Sequence, residues 1–144
     1  SDKPKAIFED SSDDIAPDNE VLESVGDSAL DLAVSSLIRN KYPGLRVGPH
    51  AKIRSLVVCV GTIAQISQHY RLADNLLADG RHLVSLQSST YIQADLFEAY
   101  VGGLYADWGY EHIRPWLYRI LTPYVEEAYR IVKMEYKCAV SSNK

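Results

Sequence analysis

Four carboxylates, Glu20, Glu23, Asp27 and Asp31, follow one another at intervals of three, four and four residues. In a helix that spacing confines them to roughly a quarter of the circumference. Leu22, Val25, Ala29, Leu32 and Ala33 take the other side, which is expected to face a core. A solvated acidic face is the plain alternative. Against it, Glu23/Asp27 and Asp27/Asp31 are like-charged i,i+4 pairs with no Lys or Arg among them, an arrangement that weakens an isolated helix. A free surface helix usually intersperses bases with its acids. An unrelieved carboxylate face suggests that a cation supplies the missing positive charge.

The rest of the chain also reads as helices. Asp18, after Pro17, is a candidate N-cap, and the acidic helix should run to about Arg39 or Asn40 before Tyr42-Pro43-Gly44 stops it. Gly48-Pro49 opens a second helix to about Val58; Gly61-Thr62 punctuates, and Ile63 to Tyr70 continues as a third. A short helical turn at 71–78 and a loop at 79–87 follow, after which Ser88 or Ser89 caps a helix from Thr90 to about Trp108. Gly109 ends it. A last helix runs from about Tyr110 to Ala139, with Pro115 in its first turn and a kink or break near Leu121-Thr122, ahead of Pro123. The ends, about 1–5 and 140–144, are expected to be poorly ordered. No segment alternates with a period of two, so the fold class is all-α, a helical bundle.

The 144 residues suit one domain, and 47% hydrophobic residues suffice for a real core. No 18-residue apolar run marks a membrane span, and no leader pattern is visible. The expectation is an intracellular protein, cytoplasmic or nuclear, in which Cys59 and Cys138 are reduced, buried thiols rather than zinc ligands. The formal charge is −4, and ten of the nineteen acids lie between Asp2 and Asp31, against only Lys3 and Lys5. That balance argues against a general binder of polyanions.

A second pair of acids stands in the helix expected from Thr90. Asp95 and Glu98 are three apart, hence on one face, among Ile92, Ala94, Phe97, Val101 and Leu104. Two charges in so apolar a helix either sit on its exposed edge or are paired with a cation.

At this point the residues resemble a known family. Asn19-Glu20-Val21-Leu22-Glu23-Ser24-Val25-Gly26-Asp27-Ser28 is similar to the signature helix of the ribonuclease III catalytic domain, N-E-x-L-E-x-x-G-D-S. Ala94-Asp95-Leu96-Phe97-Glu98-Ala99, followed by Gly102-Gly103-Leu104-Tyr105, looks like its second motif, A-D-x-F-E-A with small residues and a Tyr. Leu121 to Glu127 resembles its final helix, so the likeness spans roughly residues 6 to 130. The resemblance implies a bundle of the ribonuclease III endonuclease type and a homodimer. The implied enzyme hydrolyses RNA phosphodiester bonds with Mg²⁺ or Mn²⁺, in double-stranded RNA, leaving 5′-phosphate and 3′-hydroxyl ends. By it, Glu23, Asp27, Asp95 and Glu98 are the catalytic, metal-binding carboxylates, Glu20 and Asn19 stand beside the site, and Leu22, Ser24 and Val25 belong to the dimer interface. RNA-contacting residues are not identified. The chemistry agrees: four carboxylates make a hard-cation site and suit zinc poorly. Gly26, with Gly102 and Gly103 opposite, would let the two helices approach closely.

The chain departs from the family at Ser24, where the usual Phe anchors the partner subunit. Val47 replaces an acid, His50 an apolar residue, and Tyr91 a Lys or Arg before the second motif. So acidic a domain would draw RNA affinity from metal ions, a partner subunit or an additional RNA-binding domain outside a fragment. Two rival readings follow. One is a divergent member, of the kind found in fungal RNA silencing, whose altered dimer cuts single-stranded RNA. The other is a non-catalytic dimerisation or scaffold module, against which the intact acids argue.

Overall fold

Leu30, Val34 and Ile38 continue the line begun by Glu23 and Asp27 at helical spacing, and these three are almost wholly buried. The consequence decides the orientation of the first helix, α1 (Asn19–Lys41). Glu23 on that line is half-buried while Glu20, Asp27 and Asp31 stay exposed, and Val21 and Leu32 on the other side are 58% and 54% exposed. This corrects the expectation that Leu22, Val25, Ala29, Leu32 and Ala33 form the core face: Ala29 and Ala33 are buried, Leu22 and Val25 half-buried, Leu32 exposed. The physical reason is that the C-terminal half of α1 has more apolar surface to bury, and it sets the rotation for the whole helix.

The structure, a computed structural model, describes Phe8, residues 19–72 and residues 89–142. After α1 come α2 (Val47–Val58), α3 (Val60–His69), α4 (Thr90–Trp108) and α5 (Tyr110–Ser142). Among the described residues all regular structure is helical, as expected. The capping residue Asp18, the loop at 79–87, most of the turn at 71–78 and residues 1–5, 143 and 144 lie outside them.

The break between α2 and α3 falls at Cys59, not at Gly61-Thr62. Thr62 explains the shift: its hydroxyl donates to the Leu56 carbonyl at 2.9 Å, and the Ile63 N–H bonds the Cys59 carbonyl at 3.1 Å. Orphan groups at both helix ends are thereby satisfied. Ser89 caps α4 by accepting from the Ile92 N–H at 3.3 Å. Gly109, with φ 79°, turns the chain into α5. The break expected near Leu121-Thr122 is absent: α5 is one helix of 33 residues through both Pro115 and Pro123. Pro115 lies beyond the first turn. Buried Leu117, Leu121, Val125, Ala128 and Val132 hold both sides of Pro123 against the body, and Thr122 donates to the Tyr118 carbonyl at 2.6 Å.

α1 packs most extensively on α4, whose other side is covered by α3, and α2 and α5 close on the rest of α1. Phe97 of α4 is completely buried at the centre; truncating such a ring costs about 3–5 kcal/mol. Tyr42 stacks on Tyr129 with ring centroids 3.8 Å apart, tying the end of α1 to α5. The two cysteines are free and exposed rather than buried. Cys59 stands in the α2–α3 break and Cys138 on the last turns of α5, where the described body no longer covers the helix. No described helix is long and apolar enough to cross a membrane.

Candidate active site

The α1–α4 seam is built on two glycines. A Cβ at Gly26 would collide with the backbone carbonyl of Glu98, and a Cβ at Gly102 with the carbonyl of Leu22. The two contacts sit four residues apart on each helix and run in opposite directions, so the helices cross antiparallel with their backbones touching. Any larger residue at either position would push them apart. The same crossing sets the acids facing each other, because Glu23 and Asp27 flank Gly26 on α1 while Asp95 and Glu98 precede Gly102 on α4.

Burial then separates their chemistry. Glu98 and Glu23 are half-buried; Asp27 and Asp95 are exposed. Burial, then the charges of Asp27, Asp95, Glu23 and Asp31, push the Glu98 carboxyl from its ordinary 4.5 up to about 7. Every charge named as acting on it is negative. Asp27 is raised too, by partial burial and then by Asp31, though most of its side chain meets water and the effect is weaker. These shifts show that the four sequence-chosen carboxylates share one electrostatic site. Among the described residues, no three Asp, Glu, His or Cys groups stand so that they could together hold a metal ion. Both hold together, since repulsion acts over longer distances than a coordination bond.

Asp31 was visible in the acidic spacing but left out of the chosen set; it acts on both Asp27 and Glu98. Glu20 and Asn19, at the start of α1, are exposed. Of the expected interface residues, Ser24 is exposed and Leu22 and Val25 half-buried. Ser24 and Val25 line a cleft of about 410 Å³ with Ser28, Ala29, Leu32, Tyr105 and Tyr110. Trp108, 61% exposed, ends α4 nearby in sequence. Of the departures, Val47 and Tyr91 are exposed, and His50 is half-buried with Nε2 3.3 Å from the Ser35 carbonyl.

The raised carboxyl of Glu98 has a signed consequence. Below about pH 4.5 the group is protonated in folded and unfolded chains alike and costs nothing. Between 4.5 and 7 the unfolded chain releases the proton while the folded one keeps it, so folding stability falls as pH rises, and the full penalty stands above 7. In chelator, Glu98→Gln and Asp27→Asn should therefore melt no lower than the unsubstituted chain at pH 8. The gain of Glu98→Gln should vanish near pH 4. A clear drop in melting temperature at pH 8 would make these acids structural.

The ligand chemistry fits a divalent hard cation. The facing groups are all carboxylates, the donor type such a cation prefers.

Comparison with known proteins places this geometry. The model of the family described as Ribonuclease III domain matches residues 20–109. Ribonuclease 3 of Shouchella clausii is 33% identical over 121 residues, which cover 83% of this chain and 46% of that protein. Ribonuclease 3 of Listeria welshimeri is 30% identical over 121 residues, 53% of its length. The chain thus spans about half the length of these curated relatives. Among solved structures, the nuclease domain of ribonuclease III from Campylobacter jejuni, whose structure concerns flexibility in its dimer-forming region, superposes with a TM-score of 0.63. It is 25% identical, covering 78% of this chain and 77% of its own. Dicer from Pichia stipitis superposes at 0.62 with 32% identity, covering 78% of this chain and 51% of that one. With the two acidic motifs on facing helices of an all-α bundle, and a family match across both, the chain belongs to the ribonuclease III domain family.

Proposed function

We propose that this chain is the nuclease domain of a metal-dependent endoribonuclease that cuts double-stranded RNA, and that Glu23, Asp27, Asp95 and Glu98 hold its Mg²⁺ or Mn²⁺. The observation that carries the reading is Glu98, pushed up to about 7 by burial and by acids alone at a seam where two helix backbones touch. A divalent cation bound there would supply a water nucleophile near neutral pH and neutralise charge at the leaving 3′ oxygen. Gly26 and Gly102 fix the separation of the two acid pairs. The half-buried setting of Glu98 excludes part of the solvent and strengthens its attraction for a cation. Products would carry 5′-phosphate and 3′-hydroxyl ends.

A homodimer through the outer side of α1 belongs to the same proposal. Leu32, 54% exposed, lines the 410 Å³ cleft there with Val25, Ala29, Tyr105 and Tyr110, and Val21 on the same side is 58% exposed, which supports a partner on that side. An anchor other than residue 24 must fill that cleft. Leu32→Asp should convert the dimer to a monomer in sedimentation. Because the chain is acidic and spans about half of its relatives, RNA affinity would draw on the second subunit or on a separate basic region.

The test is cleavage of labelled single- and double-stranded RNA of one sequence, in Mg²⁺, Mn²⁺ and chelator. The proposal expects duplex cutting in either metal and none in chelator. Preference for the single strand would overturn the substrate assignment, and cutting in chelator the metal assignment.

A further inference from the structure

The net charge of −4 hides an uneven distribution. From Leu32 to Ala73 the chain holds six Arg and Lys and no Asp or Glu. The fold joins part of this positive stretch to more of the same sign: α2 carries Lys52, and the last turns of α5 bring Lys133 and Lys137 beside α2. Two of these ammonium groups rest on aromatic rings. Lys52 Nζ lies 5.1 Å from the centre of Tyr136, and Lys133 Nζ 5.5 Å from that of Tyr129, which is itself stacked on Tyr42. A ring holds a cation in place without neutralising it. Neighbouring cations are neutralised, Lys41 by Glu126 at 3.1 Å and Arg130 by Glu127. Among the described residues no salt bridge engages Lys52, Lys133 or Lys137, and all three are exposed. Glu135 stands two residues from each of Lys133 and Lys137, so it faces neither, and it shares a cleft with Lys52.

Lys133 and Lys137 line a groove of about 600 Å³ whose walls include Pro49, Ile53, Val132 and Val140. Tyr136, the ring under Lys52, lines it too, and Tyr136 and Val140 are 41% and 62% exposed. Placed cations beside exposed aromatic and apolar surface suit a polyanion that carries flat rings between its charges. An RNA strand has that chemistry, with phosphates for the ammonium groups and bases or ribose for Tyr136 and Val140. An acidic protein segment would match the charge alone. RNA is favoured because its charge repeats along a strand, as these cations repeat across two helices. We propose that α2 and the last turns of α5 form an RNA-holding surface, in which Lys52, Lys133 and Lys137 bind phosphates of a strand outside the carboxylate seam. The proposal rests on the reading of the chain as an RNA-cutting domain, and names where the strand is held rather than where it is cut. The fourteen residues from Asp27 to Lys41, at the groove's end of α1, rise about 21 Å. An RNA touching both places must span about that length.

The test is fluorescence anisotropy of labelled RNA titrated with the whole chain in chelator, over a series of salt concentrations, so that binding is read without cleavage. Lys52→Gln/Lys133→Gln/Lys137→Gln should bind at least about tenfold more weakly at about 0.1 M salt. Its slope of log affinity against log salt should be shallower by about 2, three phosphate contacts at about 0.7 each. Lys52→Arg/Lys133→Arg/Lys137→Arg, which keeps the charges, should keep the slope. Equal melting temperatures would show that the fold is intact in both variants. No RNA binding by the intact chain, or an unchanged affinity and slope in the Gln variant, would overturn the proposal. If poly-glutamate binds the intact chain and not the Gln variant while RNA affinity is equal in both, the surface takes an acidic protein segment and the RNA assignment falls. Binding through these lysines by a chain that cuts nothing in Mg²⁺ would uphold this surface and sink the cleavage reading alone.

Discussion

Glu98→Ala is expected to abolish RNA cleavage in Mg²⁺ while the bundle still folds. Glu98 is half-buried at the seam, and four other acids, Asp27, Asp95, Glu23 and Asp31, act on it together. It is therefore the group whose charge is most costly without a cation and most useful with one. Removing a group that stabilises developing charge in such a site lowers turnover by about 10²–10³-fold. The fold should survive because the deletion relieves repulsion instead of breaking a pair. Single-turnover cleavage beside a thermal melt separates the two effects. Unchanged turnover would remove Glu98 from the site, and a melt lowered by many degrees would assign it to the scaffold.

The second large effect separates two adjacent glycines. Gly102→Ala should destabilise the chain by about 3 kcal/mol, because its Cβ meets the Leu22 carbonyl, a backbone atom that cannot swing aside. For a chain of this size that is a fall of roughly 10 °C in melting temperature. Gly103→Ala should do the reverse. A Cβ there has no atom within 4 Å, so alanine's better helix propensity adds up to about 1 kcal/mol. Calorimetry of both variants decides the matter. Equal effects of the same sign would mean that the α1–α4 approach is looser than described. A surviving Gly102→Ala protein should also cut poorly, since α1 and α4 would carry their acids apart.

These expectations show what the sequence made legible. Fixed residue types at fixed helical spacing, from Asn19 to Ser28 and from Ala94 to Ala99, identified the family and the two facing acid pairs. The α4 cap at Ser89 and its end at Gly109 were readable because those signals are local. The rotation of α1 was not. Leu22, Val25 and Leu32 look like a core face by themselves, but Leu30, Val34 and Ile38 bury more completely against the body and turn Glu23 partly inward, with Asp27 left exposed at the edge. Pro123 announced a break that tertiary packing on both sides removed. The thiols misled for a similar reason, since their apolar neighbours in sequence lie at a helix break and on an uncovered helix end.

The central claim is that the α1–α4 carboxylates hold the divalent cation with which the domain cuts RNA. Titration with Mn²⁺, reading free Mn²⁺ by electron paramagnetic resonance, tests it on the intact chain and on Glu98→Gln. Loss of one ligand should weaken binding by roughly tenfold or more, since even groups behind the ligands contribute 10–100-fold. Saturable binding by the intact chain and at least that loss in the variant is the predicted result. Equal Mn²⁺ affinity in both proteins would place the cation elsewhere and contradict the account.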